Sequence, residues 1–164
     1  MTDPTDTSLA GLARLVGEWT TEATHPAVRG TVVQGTTTLE WMRGEKFLVV
    51  TARIDHPDFP DAISIIGDMS RDRVGEGDEA PTAAAPAPGL AMHYYDERGV
   101  HRVFAVTIAD DTWQIWNDAQ GFAQRFVGTF VDGGNRIVGL WRLSRDNKTW
   151  DDDLRITYRR RRAR

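Results

Sequence analysis

The chain has 164 residues, of which 40% are hydrophobic and 27% charged, which is the composition of one globular domain. It contains no Cys, and this excludes disulfides, thiol catalysis and Cys-bound metal. The net charge is −4, but five of the last six residues are Arg, so the other 158 residues carry 15 basic against 24 acidic side chains. Such an acidic body argues against nucleic acid as the main partner.

Neither a membrane-spanning helix nor a signal peptide is expected from the sequence. No run approaches the roughly 18 apolar residues of a membrane-spanning helix, and residues 1–6 are acidic and polar, unlike a signal peptide. We therefore expect a cytoplasmic protein without a membrane span. We interpret 1–164 as one domain in which residues 1–6 and the Arg-rich residues 160–164 are flexible tails.

One short helix is predicted near the N-terminus. Thr7 or Ser8 suits its N-cap, and Leu9, Leu12, Ala13 and Val16 follow at helical spacing. Gly17 is expected to end this helix. After Gly17 the hydrophobic period changes from 3.6 to 2, which indicates strands for the rest of the chain.

The strands predicted in the first half are 18–24, 31–42, 46–54 and 62–69. Residues 55–61 contain two Pro and cannot form a central strand. Residues 71–89 are rich in Pro, Ala and Gly, and we predict that they form a flexible loop.

The second half is predicted as a meander with strands at 90–95, 100–109, 112–117, 122–131, 136–144 and 149–159. Each break contains Gly, Asn or Asp, the residues of tight hairpin turns. About ten short strands without helices between them predict an all-β fold, a single up-and-down antiparallel β-barrel. A barrel of that size is wide enough to enclose a cavity.

The segment Leu-Ala-Arg-Leu-Val-Gly-Glu-Trp at 12–19 places a short helix directly before Gly17-x-Trp19. Together with the long meander, this arrangement resembles the calycin superfamily, which includes lipocalins, fatty-acid-binding proteins and nitrobindins. It is most similar to uncharacterised bacterial lipocalin-like families. The resemblance implies that Trp19 packs across the closed end of the barrel beneath a basic residue of the last strand, for which Arg155 is the candidate.

The resemblance does not extend to a haem site. Nitrobindins hold haem through a histidine near the C-terminus, whereas no histidine follows His101 here. We therefore expect no haem, and no other cofactor is predicted.

His93 and His101 flank one predicted turn, and the pairing across it decides their faces. If Tyr95 pairs with Val100, the two histidines point to opposite faces; if the loop centres on Glu97, they oppose each other on one face. The second case could form a two-His metal site with a carboxylate. Because strands often expose single histidines, no metal site is predicted.

Polar residues interrupt three otherwise apolar strand faces. Arg102 shares a face with Phe104, Gln124 with Phe126, and Asp152 with Tyr158. Such a group lies at the rim, is satisfied within the core, or orients the polar head of a ligand. Arg102 is the strongest candidate for the third role, since a guanidinium matches a carboxylate bidentately.

We predict that the barrel binds a small, largely apolar molecule, with an acidic or carbonyl head near Arg102. The predicted ligand-binding residues are Trp41, His93, Arg102, Phe104, Trp116, Gln124, Phe126, Trp141 and Tyr158. The alternative is a lipocalin-like cyclase, isomerase or hydratase, with His93, Tyr94 or Arg102 as proton donor or electrostatic stabiliser. An interaction module that uses a sheet face or the Arg-rich end is a third possibility.

Overall fold

The computed structural model describes residues 9–68 and 89–162. Residues 9–12 are α-helical and continue as a 3-10 turn, Ala13–Leu15. Leu12 and Leu15 of this N-terminal helix are fully buried, whereas Ala13, which the helical pattern placed inside, is exposed. The predicted N-cap lies outside the described residues, as does the predicted 71–89 loop up to residue 88. In the described part of the chain, no helix has the length and apolar character to cross a membrane.

All ten predicted strands are present, and their ends differ from the predicted bounds by no more than two residues. The strands are β1 (Gly17–Thr24), β2 (Val33–Trp41), β3 (Phe47–Ile54), β4 (Ala62–Asp68), β5 (Leu90–Asp96), β6 (His101–Ala109), β7 (Thr112–Asn117), β8 (Ala123–Val131), β9 (Arg136–Ser144) and β10 (Asp151–Arg160).

Each strand pairs antiparallel with the next one in sequence, and β10 pairs with β1 to close the barrel. The predicted up-and-down topology is therefore confirmed. Because ten strands form the ring, β1 and β6 are five strands apart in either direction and lie on opposite walls. Along β10, Ile156, Tyr158 and Arg160 share one face, and Ile156 and Tyr158 point into the barrel.

The N-terminal helix and Trp19 fill one end of the barrel. Trp19 is completely buried, and its Nε1 donates a hydrogen bond to the carbonyl of Leu15 at 2.9 Å. The Arg160 guanidinium lies 4.2 Å from the centre of the Trp19 ring. Arg160 also donates hydrogen bonds to the carbonyls of Val16, at 2.5 Å, and Arg14, at 2.7 Å. The last strand is thereby fastened to the helix that closes this end.

Two expectations about this region are wrong. Arg155 is not the partner of Trp19, because its position in β10 faces outward, where it pairs with Asp152 at 2.6 Å. Arg160 was placed in a flexible tail, but it is the last residue of β10. The backbone N–H of the next residue, Arg161, also donates a hydrogen bond to the carbonyl of Glu18 on β1.

We predict that Arg160→Met lowers the free energy of unfolding by about 2 kcal/mol, since it removes a cation–π contact and hydrogen bonds from a charged donor. Urea denaturation measures this loss. The matched control is Arg159→Met, which changes an exposed arginine of the same strand and should stay within about 0.5 kcal/mol of the unchanged protein. Equal losses in the two variants would contradict the role given to Arg160.

Candidate functional site

The barrel encloses a cavity of about 560 Å³ between the Trp19 end and the opposite end, which we call the mouth. All ten strands contribute to its lining, and most of the lining residues are apolar. A volume of this size lies within the range of small-molecule sites. The interior is therefore only partly filled by side chains.

Five of the nine residues predicted to bind a ligand line this cavity: Arg102, Phe104, Gln124, Trp141 and Tyr158. Two others, Trp41 and Phe126, pack into the core and do not line it. The ring of Phe126 is fully buried and covers Gly128 and Gly139, where an added Cβ would lie 2.9 Å and 2.3 Å from that ring. Phe126 is thus part of the wall behind the cavity.

His93 and Trp116 were also predicted to face the ligand, and this orientation is wrong. Both lie on the outer face of the barrel, because their neighbours Met92, Tyr94 and Ile115 take the inward positions of β5 and β7. A shift of one residue in strand phase exchanges the two faces completely.

The structure adds lining residues that the sequence analysis missed, foremost Trp113 on β7. Its ring is 4% exposed, and its Nε1 has no hydrogen-bond partner among the residues described. The signal was present, since Trp113 and Ile115 alternate with polar Gln114. Trp116 is three residues from Trp113 and must occupy the opposite face of the strand.

Arg102 lies at the mouth, and its positive charge has no ion-pair partner among the described residues. Its Nη1 donates to Gln124 Oε1 at 2.7 Å, and its guanidinium stands 4.5 Å from the centre of the Phe122 ring. Within residues 9–68 and 89–162, no carboxylate forms an ion pair with Arg102, although several other arginines are paired. A cation at the edge of an apolar cavity therefore lacks a counter-ion from the described residues.

Tyr94, Asp96 and Arg98 form a hydrogen-bonded cluster beside Arg102. The Asp96 side chain is fully covered and accepts hydrogen bonds from Tyr94 Oη at 2.9 Å and Arg98 Nη2 at 2.7 Å. Arg98 holds the pKa of Asp96 well below its usual range. Burial, followed by the bond to Asp96, raises the pKa of Tyr94 to about 12. At neutral pH the Tyr94 hydroxyl therefore keeps its proton and donates it in the hydrogen bond to Asp96.

On the side of the mouth opposite Arg102, a hydrogen bond between His25 and Asp153 connects a short turn, Pro26–Val28, to β10. His25 Nδ1 accepts from the backbone N–H of Ala27 at 3.0 Å, so the proton resides on Nε2, which donates to Asp153 Oδ1 at 2.8 Å. A β-bulge between Asp152 and Leu154 turns Asp153 toward the cavity. The Pro26–Val28 turn is held over the mouth by these bonds. Asp152, which was expected to share the face of Tyr158, instead pairs with exposed arginines.

Several hydroxyl groups on the inner surface of the barrel have no hydrogen-bond partner in the described protein. Thr21, Thr37 and Ser64 line the cavity and are buried, and Tyr158 lines it beside Thr21. Burial raises the pKa of Tyr158. Among the residues that the structure describes, none donates a hydrogen bond to these hydroxyls or accepts one from them. Sequence reasoning missed Thr21, Thr37 and Ser64, because single Ser and Thr residues are common on every strand face.

The two histidines on the outer surface form a pair. Of the two pairings considered, the one between Tyr95 and Val100 is absent, because Tyr95 pairs with His101. Both histidines therefore occupy one face, where they lie diagonally across the strand pair, since His93 itself pairs with Val103. His93 Nδ1 and His101 Nε2 are 3.3 Å apart, and the Tyr95 ring stacks on His101 at 4.7 Å. Burial and the neighbouring His101 lower the pKa of His93. The described segments contain no group of three or more potential metal ligands.

These features define a closed ten-stranded antiparallel barrel with an apolar internal cavity. No family model matches the chain, and no curated protein matches it. Among solved structures, the crystal structure of Rv2717c from M. tuberculosis matches with a TM-score of 0.61 and 14% identity, covering 99% of this chain and 100% of that chain. At this identity the likeness shows the fold alone.

Replacement of the covered carboxylate, Asp96→Asn, should lower the free energy of unfolding by about 2 kcal/mol at pH 7, because charge-assisted hydrogen bonds are lost. Since folding depresses the pKa of Asp96, its contribution is present above the unfolded-state value of about 4 and is lost as the pH falls below it. Denaturation across pH 2–7 should therefore show the two proteins converging in acid.

The control for this experiment is Asp118→Asn, which removes an exposed ion pair with Arg125 and should change stability by less than about 0.5 kcal/mol. A constant difference between Asp96→Asn and the unchanged protein at every pH would contradict the ionised state assigned to Asp96.

Proposed function

We propose that this protein binds a small, largely apolar molecule inside the barrel, with an acidic or carbonyl head held at Arg102. One observation carries the proposal: an apolar cavity of about 560 Å³ opens beside a guanidinium that has no counter-ion from the described protein. The apolar walls would supply most of the affinity, because burying apolar surface is worth about 25 cal/mol per Å². Arg102 would supply orientation.

The contacts of Arg102 within the protein fix the orientation of its guanidinium before a ligand binds. Gln124 fixes one side of the guanidinium at 2.7 Å, and the Phe122 ring supports its face. A planar guanidinium fixed in this way keeps further N–H groups for a carboxylate or carbonyl oxygen. Phe104 and Trp141 lie in contact below it, with ring centres 5.8 Å apart, and offer an apolar surface to the body of the ligand.

We infer further that the chain is a calycin. The closed barrel, the short helix before Gly17-x-Trp19 and the arginine from the last strand over Trp19 support this assignment. The likeness to Rv2717c supports it at the level of fold.

The positions of the candidate proton donors favour a binding protein over a cyclase, isomerase or hydratase. His93 points away from the cavity, and the hydroxyl of Tyr94 donates to Asp96 and has a raised pKa. Of the three residues considered for catalysis, Arg102 alone faces the cavity with free donors, and it suits electrostatic stabilisation more than proton transfer.

A test of the head-group site compares dodecanoic acid with 1-dodecanol in titration calorimetry. Arg102→Met should weaken binding of the acid by about tenfold or more, because a charge-assisted hydrogen bond contributes about 1.5–3 kcal/mol. Binding of the alcohol should change by less than about threefold, since its contacts are mostly apolar.

The matched control is Arg125→Met, which removes an arginine that also covers an aromatic ring, that of Trp150 at 4.3 Å, but does not line the cavity. This variant should bind both ligands as the unchanged protein does. The proposed head-group site is wrong if Arg102→Met weakens binding of the acid and of the alcohol equally. The proposed function is wrong if the unchanged protein binds neither ligand.

A further inference from the structure

The cavity contains polar groups that the head-group site does not use. Thr21 is 4% exposed, and Thr37 and Ser64 are each 6% exposed, yet all three line the cavity. No hydrogen bond to their hydroxyls comes from any described residue, and the same holds for Tyr158. These hydroxyls face the cavity, and none is among the buried side-chain atoms that lack both a partner and access to open space. Their hydrogen-bond partner must therefore come from a molecule inside the cavity, either water or a ligand.

Three of these hydroxyls form one surface, which we call the hydroxyl wall: Thr21, Thr37 and Tyr158. Thr21 is the direct cross-strand partner of Tyr158, and Thr37 lies on β2 beside β1. A Cβ at Gly35 would lie 2.7 Å from Thr21 Oγ1, so this glycine leaves room for the hydroxyl. The wall spans β10, β1 and β2, whereas Arg102 lies on β6, across the barrel from β1.

The chemistry of the wall limits what can bind there. Each hydroxyl can donate one hydrogen bond and accept others, and none carries charge, because burial raises the pKa of Tyr158 further above neutrality. A second anion would need a cation to offset its desolvation, and the wall offers none. A hydroxyl or carbonyl oxygen of a ligand satisfies such groups without bringing a charge into the cavity.

We propose that the hydroxyl wall binds an uncharged oxygen group of the ligand, remote from the head held by Arg102. The ligand class is then a hydroxy or oxo acid with an apolar body, rather than a simple fatty acid. This inference rests on the proposed function, since it assigns a second polar subsite within the same cavity. Val would fill nearly the same space as Thr without a hydroxyl, so a Thr→Val variant isolates the contribution of the hydroxyl to binding.

The test uses dodecanoic acid and its positional monohydroxy isomers, measured by titration calorimetry. At least one isomer should bind about tenfold tighter than the plain acid, because each well-placed hydrogen bond to a buried partner adds of this order. The double variant Thr21→Val/Thr37→Val should remove most of that preference, so that the hydroxy isomer and the plain acid bind with similar affinity.

The matched control is Thr20→Val/Thr36→Val, which alters the exposed threonine pair on the outer face of the same two strands. It should keep the preference for the hydroxy isomer. Tyr158→Phe provides an independent variant that removes one hydroxyl and keeps the ring, and it should reduce the preference as well.

Two results separate the failure of this inference from the failure of the proposed function. If the unchanged protein binds dodecanoic acid but no isomer binds tighter, or if the preference survives in both inner-face variants, the hydroxyl wall has no role in recognition. If the folded protein binds neither the plain acid nor any isomer, the proposed function itself is wrong, and the second subsite is wrong with it.

Discussion

The pairing of β1 with β10 is the constraint on which the rest of the structure depends. It closes ten strands into a ring, and the number of strands in a closed ring sets its width. A ring of this width cannot be filled by one layer of inward side chains from each strand. The N-terminal helix, Trp19 and Arg160 fill one end, and the space left toward the mouth is the cavity.

The polar groups of that cavity are divided between its walls. Arg102 and Gln124 lie on β6 and β8 at the mouth, whereas Thr21 and Tyr158 lie on β1 and β10. Strand order alone brings residues about a hundred positions apart in sequence to face a common space. A molecule with one acidic end and one uncharged oxygen would meet both sets, and its apolar body would contact Phe104 and the other apolar lining.

The strands were predictable because the signals that define them are local: alternating polarity along each strand and Gly, Asn or Asp at each turn. The cavity residues were predictable only where the phase of a strand was read correctly, as for Phe104 and Arg102. The phase was misread for Trp116 and His93, whose apolar neighbours take the inward positions. Arg160 continues the alternation of Ile156 and Tyr158, but it was not assigned to Trp19 because the strand was predicted to end at residue 159, within a run of arginines.

The most direct test of the account is the NMR spectrum of dodecanoic acid labelled with carbon-13 at its carboxyl carbon, titrated with the protein at a series of pH values. The account predicts one bound resonance that saturates at one equivalent and stays ionised at lower pH than the free acid, because Arg102 lowers the pKa of the bound carboxyl group. The absence of a bound resonance would contradict an open cavity that binds ligand. A bound carboxyl group that titrates like the free acid would contradict the position of the head at Arg102.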